Sequence, residues 1–490
     1  LSGIEELLQL FAKGELSGGA GFNISQNELD RAQLSMDDIE SCYPATPLQK
    51  EMYRLCQDPN LPITNVTQMI TVYEGVSSQF MDTARFEKIW NRVISRNEIL
   101  RSSFVPDEQG DTMLVVRKNA TATVTVKDFS ELDEAAQRTA IDALLEEDHN
   151  DRYDLSQAPL LRIYWVDLDK TVGRVAIIQS NHQIILDGWS SGLLLEDFTK
   201  CLIGELTGSD IGAIDPRRNF SRYLEWLDEV SNETCSQHWK QSLGDYCGTD
   251  PVLSIMEEPK EGGHQKGSYD AKEATIDEGL IESIKVAARS TQTTSNALFQ
   301  AAWALALAKT GRSDDFIYGV TVSGRAGELE DISQIVGQAT NSMPIRVQLG
   351  QLERIGDLVQ SIHQSNNEAQ SYNLISLPQI EKEIEWNKGQ QLYSSNVIFE
   401  NLPTPEIAVE SDSQQDLSLP IGIKETWWRD SWHFPLRLFV VPGPTTWIRI
   451  AYNKDMFRAE DIEMLTSTYL DYLNAVHEKI DSSVKELIEG

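Results

Sequence analysis

Two nearly contiguous runs, LLRIYWVDLD (160–169) and GRVAIIQSNHQIIL (173–186), constrain the fold most. Both are rich in β-branched residues, so each reads as a strand. Upstream, TQMITVYEG (67–75) and TMLVVRK (112–118) read the same way. Between them, MDTARFEKIWNRVISRNEILRSSF (81–104) carries a helical apolar stripe through Phe86, Ile89, Trp90, Val93 and Ile94. Strands and helices alternate, which predicts an α/β first half.

The second half repeats that layout in kind. RRNFSRYLEWLDEVSNETCSQHWKQSL (217–243) predicts a helical stretch, and LIESIKVAARSTQTTSNALFQAAWALALAKTG (280–311) predicts two helices. DDFIYGVTVSGRAGELEDISQIVGQATNSMPIRVQL (314–349) gives strand, Gly-containing turn and strand, and TTWIRIAYNKDMF (445–457) adds a strand before a terminal helix. At 490 residues the chain exceeds one ordinary core, since domains run to about 150 residues. No short period recurs, so two related lobes fit better than a solenoid. Ahead of them, IEELLQLFAKG (4–14) predicts a short amphipathic helix and ELSGGAGFNISQ (15–26) a flexible linker, with the first packed domain beginning near residue 35.

Charge and cysteine usage exclude several classes. The net charge of −34, from 76 acidic and 42 basic residues, disfavours nucleic acid and anionic membranes as partners. No apolar run reaches the roughly 18 residues of a membrane span. Five cysteines without CxxC spacing indicate neither a zinc site nor a disulfide framework, no metal cluster stands out, and a cytoplasmic setting fits. The first residues lack the basic and apolar regions of a secretory signal.

Several short segments occur in a fixed order: CYPATPLQKEMY (42–53), RNEILRSSF (96–104), HQIILDGWS (182–190), NFSRYLEW (219–226), GVTVSGR (319–325), IVGQATNSMPIRV (335–347) and SNVIFENLP (395–403). Together they resemble the motifs of nonribosomal peptide synthetase condensation domains, in the chloramphenicol acetyltransferase-like superfamily, from about residue 36 onward. The resemblance implies an α/β fold of two acetyltransferase-like lobes in a V with a central tunnel, at 36–212 and 213–490. Residues 1–35 would be a linker or the remnant of an upstream module. It implies amide bond formation between a donor acyl or peptidyl thioester and an acceptor aminoacyl amine. Both would ride on phosphopantetheine arms of donor and acceptor carrier domains, beside an adenylation domain, with no cofactor bound directly and a monomeric excised domain. An epimerization domain, an ester-forming or cyclising terminal domain, and a catalytically silent docking module for carrier or tailoring proteins are the alternatives.

Aligned from DGWS, the family's His-His-x-x-x-Asp-Gly-Trp-Ser motif places its first histidine on His182 and its second, usually the catalytic one, on Gln183. A carboxamide donates and accepts hydrogen bonds but takes no proton near neutral pH. Gln183 is therefore no general base, though it can orient an amine. An inactivating replacement, a degenerate copy and a working variant are all consistent with it. Asp187 could simply cap a turn; in the family it pairs with an arginine, which matches Arg325. Gly188 offers close backbone approach and an amide for an oxyanion. The motif also contributes Trp189 and Ser190, with Asn341, Arg96 and Arg101 as supporting candidates that could equally serve lobe packing. His182 reads as a core histidine, as does His433, and the pair Trp427 and Trp428 as core and lobe interface rather than an aromatic cage.

Overall fold

The computed structural model describes residues 35–489 apart from 59–60, 79, 108, 209–216, 231, 258–268, 326–328, 387–389, 401–420, 433 and 444. The expected helix at 4–14, the linker after it and His433 lie outside the described residues. In the first half, β1 (Ile39–Pro44), α1 (Pro47–Gln57), β2 (Val66–Glu74), α2 (Thr83–Arg96), β3 (Ser102–Pro106) and β4 (Thr112–Arg117) come first. After them come β5 (Val124–Asp128), α3 (Glu134–Asn150), β6 (Leu161–Asp169), β7 (Arg174–His182) and α4 (Gly188–Thr207). The runs at 160–169 and 173–186 thus supply β6 and β7, and the stripe of α2 is buried at all five positions. Asp82 caps α2 by accepting the Arg85 N–H, as an N-cap carboxylate should.

The helical stretch expected at 217–243 forms two helices, α5 (Phe220–Glu229) and α6 (Glu233–Leu243). Then follow β8 (Tyr269–Ile276), α7 (Glu278–Ser290), α8 (Ser295–Gly311), β9 (Asp315–Ser323), β10 (Thr340–Gln348), α9 (Ile355–Ser371) and α10 (Leu377–Glu383). The last elements are β11 (Ser395–Phe399), β12 (Gly422–Ser431), β13 (Leu436–Val441), β14 (Thr446–Asn453), α11 (Ala459–Val476) and α12 (Val484–Glu489). Helix α8 is apolar nearly all round, and it is buried from Ala297 to Ala308 against the second-half sheet.

Three sheets organise the described chain. One is β1-β4-β3, and the second-half sheet runs β10-β9-β11-β13-β14-β8. The third, β12-β2-β7-β6-β5, is built from first-half strands and one second-half strand at its edge. β12 lies antiparallel to β2, with Ser431 opposite Val66 and Gly422 opposite Glu74. The tryptophans of β12 sit where it leaves one half for the other. Trp428 meets Trp447 of β14 edge to face at 5.4 Å, and Arg138 of α3 stacks 3.9 Å over Trp427. The first-half core also takes in Phe220, Tyr223 and Leu224 of α5 and Ile332, Ile335, Val336 and Ala339 from the segment before β10. Among the described residues no helix is long and apolar enough to cross a membrane.

Candidate active site

The site is assembled where β7 ends and α4 begins. His182 is the last residue of β7, opposite Val66 of β2, and Asp187 is the N-cap of α4. The ladder continues one step further, because the Gln183 N–H donates to the Asn65 carbonyl at 2.7 Å. The four residues 183–186 then form a tight, fully buried turn that delivers Asp187 to the helix start.

His182 is 1% exposed. Its Nδ1 accepts the Ile184 N–H at 3.1 Å, which leaves the proton on Nε2, 3.1 Å from Cys56 Sγ. Tyr153 packs edge-on against the ring. Burial pushes the imidazole down to about 3 and the Cys56 thiol up to about 11, so both are neutral near pH 7. A histidine beside a cysteine can form a nucleophilic thiolate–imidazolium pair; here desolvation suppresses both charges, and the contact is structural.

Gln183 is also buried, at 2% exposure. Its Nε2 donates to Thr67 Oγ1 at 2.7 Å, and Thr67 in turn donates to Asp430 Oδ1 at 2.8 Å. The Gln183 carbonyl accepts from Gln338 Nε2 at 2.9 Å, and Thr340 fixes Gln338 by donating to its Oε1. Gln183 Oε1 has no partner, nor does Asn65 Oδ1 on the residue bonded to it. Two buried acceptors on bonded residues are thus left without donors. Leaving such groups unmade costs about 1–3 kcal/mol each, which a ligand bringing N–H groups would recover. Neither oxygen reaches solvent in this conformation.

Behind the turn lies a clamp centred on Asp187 and Arg325. Asp187 Oδ1 accepts from the Ser190 N–H at 2.9 Å and hydroxyl at 2.7 Å; Oδ2 accepts from the Ala339 N–H at 3.1 Å and from Arg325 Nη1. Arg325 Nη2 donates to the carbonyls of Gly337 at 2.9 Å and Ile335 at 3.2 Å. The Gly337 N–H donates to Ser190 Oγ at 2.9 Å. Trp189 Nε1 reaches the Ser333 carbonyl at 2.9 Å. Segment 333–339 is thus laced to the start of α4. Glycine is required at 337, where a Cβ would stand 2.0 Å from the Phe220 ring, and at 324, where it would stand 2.0 Å from the Ala339 carbonyl.

The remaining candidates are placed elsewhere. Gly188 is exposed on the first turn of α4, and its φ is not left-handed. Arg101 pairs with Glu40 at 2.6 Å and donates to the Arg117 carbonyl, tying the β1-β4-β3 sheet to the end of α2. Arg96 is half-buried in the last turn of α2, facing Cys201 of α4. Asn341 donates to the carbonyls of Asn373 at 2.8 Å and Ile375 at 2.9 Å, a packing role between β10 and the segment before α10. Sequence reasoning missed Asn65, Thr67, Gln338 and Asp430. Among the described residues no group of three or more His, Cys, Asp or Glu side chains is placed to hold a metal ion.

Residues 39–488 match the protein family described as the condensation domain. The chain belongs to the condensation domain family. It is 26% identical to one of the proteins of linear gramicidin synthase from Brevibacillus parabrevis, over 99% of this chain and 6% of that one. Against surfactin synthase subunit 2 of Bacillus subtilis strain 168 it is 28% identical, over 92% of this chain and 12% of that one. The chain thus spans only a small part of the curated relatives it matches. Among solved structures, the starter condensation domain of rhizomide synthetase superposes with a TM-score of 0.73 at 17% identity, covering 94% of this chain and 99% of that one. The X-domain from teicoplanin biosynthesis gives a TM-score of 0.72 at 17% identity, covering 90% and 96%. These likenesses establish the condensation-domain fold.

Proposed function

We propose that this condensation domain joins a donor acyl or peptidyl thioester to an acceptor amine, each tethered to a carrier domain by phosphopantetheine. The observation that carries this reading is the pair of buried acceptors without donors at Gln183 and Asn65, held beside the Asp187–Arg325 clamp. An amine brings N–H donors, which Gln183 Oε1 and Asn65 Oδ1 lack. Lining up the two reactants is the main requirement, because positioning alone supplies much of the rate of a bimolecular acyl transfer. The neutral amine nitrogen attacks the thioester carbonyl, the C–N bond forms, the C–S bond breaks, and the amine proton leaves with the thiol. The activated acyl group arrives as its thioester, so no further cofactor is needed.

Gln183 also ranks the alternatives. Epimerization must remove a proton from the α-carbon, and ester formation must activate a hydroxyl; both lean on a base more than a neutral amine does. A carboxamide serves neither. A silent docking module is the second reading, favoured by the burial of Gln183 and the lack of a proton acceptor there. Donor and acceptor carriers, each loaded with labelled substrate, separate these readings. Transfer of the donor acyl group onto the acceptor carrier supports condensation, loss of α-carbon label supports epimerization, and carrier binding without either supports docking.

A further inference from the structure

We propose that Thr67 and Asp430 are positioning residues for the acceptor amine, because they decide which way the Gln183 carboxamide faces; this rests on the amide-forming reading above. The two ends of a carboxamide are nearly equal in size and opposite in polarity. Rotating the group by half a turn exchanges an acceptor for a donor, so something must hold it. Thr67 does this through its single hydroxyl proton. The proton is given to Asp430 Oδ1 at 2.8 Å, which leaves Thr67 Oγ1 only an accepting role toward Gln183 at 2.7 Å. The amino end of Gln183 is thereby committed to Thr67, and Oε1 is left as the unpaired acceptor.

The polarity originates in the carboxylate of Asp430. A carboxylate accepts and never donates, so the direction of both hydrogen bonds follows from its charge. Burial is the larger influence and raises the Asp430 carboxyl above its ordinary range, with the guanidinium groups of Arg449 and Arg437 opposing it, so the relay has this direction while the group is ionised. Asp430 lies directly opposite Thr67 in the β12–β2 ladder, so strand register delivers it without any flexible side-chain reach. β12 comes from the second half of the chain and serves a residue of the first. The crossing strand therefore does more than complete a sheet: it sets the orientation of the group that meets the nucleophile.

The test compares single-turnover transfer by the whole domain, with both carriers loaded, in Thr67→Val, Thr67→Ser and Gln183→Ala, alone and combined. Thr67→Val is expected to slow transfer about tenfold, the effect of one misdirected hydrogen bond, with half-saturation by the acceptor carrier unchanged. Thr67→Ser is expected to restore most of the rate, and Thr67→Val added to Gln183→Ala is expected to cost nothing more. Parental rates in Thr67→Val, or full additivity with Gln183→Ala, overturn the proposal. A second readout does not need catalysis: the Gln183 side-chain NH₂ resonance in nitrogen-15 glutamine-labelled protein, assigned by its loss in Gln183→Ala. Slow solvent exchange that becomes fast in Thr67→Val and Asp430→Asn supports the relay, and unchanged exchange sinks it. If the parental domain transfers nothing, the amide-forming reading fails, while the exchange measurement still decides the orientation.

Discussion

At the scale of single residues, His182 is the core histidine that the motif implies, while the next position, where the motif carries its usual catalytic histidine, holds the carboxamide of Gln183. The histidine is sealed in, neutral, and occupied on Nδ1 by a backbone amide, so it organises the turn. The glutamine has a free acceptor but no proton chemistry. Replacing it by histidine restores a group that exchanges protons near neutral pH, and proton transfer by a placed side chain is worth about 10² to 10⁴-fold. Gln183→His is therefore expected to raise single-turnover transfer into that range. The gain should appear as pH rises through the new imidazole's pKa, because only the neutral ring accepts a proton, whereas the parental domain should lack this step. An equal or lower rate in Gln183→His at every pH would show that proton handling at this position does not limit transfer.

Between elements, the start of α4 is held to segment 333–339 by groups that the sequence did reveal. Asp187, Ser190 and Arg325 all lie in recognisable segments, and the structure places them in mutual contact. With side chains only 2% and 4% exposed, Asp187 and Arg325 form a buried pair in which neither partner can lose the other to water. Asp187→Ala leaves the guanidinium uncompensated and is expected to destabilise the fold by about 3–5 kcal/mol, read from urea unfolding. A loss near zero would mean that water or other carbonyls take over the clamp. The residues that sequence reasoning missed share a different property. Thr67 and Asp430 are 363 positions apart and meet only through the register of β2 and β12, and an ordinary Thr and Asp inside strands carry no local signal. Periodicity marks which residues are strand and which face is apolar. It does not say which strand pairs with which. The break between α5 and α6 was hidden for a related reason: both helices are amphipathic, and the sequence Val230-Ser231-Asn232 between them has no proline or glycine to announce it.

Over the whole molecule, elements pack across the boundary expected between 36–212 and 213–490. The first-half sheet takes its edge strand β12 from the second half, and the first-half core includes α5 and residues 332–339. A fragment of 36–212 would lose all three. β2 would present an unpaired edge from Val66 to Glu74, and the apolar side chains beneath α5 and segment 332–339 would face water. An exposed strand edge beside uncovered apolar surface is a template for aggregation. The fragment 36–212 is therefore expected to be insoluble or to unfold without a cooperative transition, and co-expression with 213–490 is expected to rescue a soluble heterodimer. Size-exclusion chromatography with thermal unfolding reads both outcomes. A monomeric, cooperatively folding 36–212 would show that β12 is dispensable for the first lobe. The Thr67–Asp430 contact would then depend on docking of two independent bodies, and the orientation of Gln183 would vary with their separation instead of being fixed by a continuous sheet.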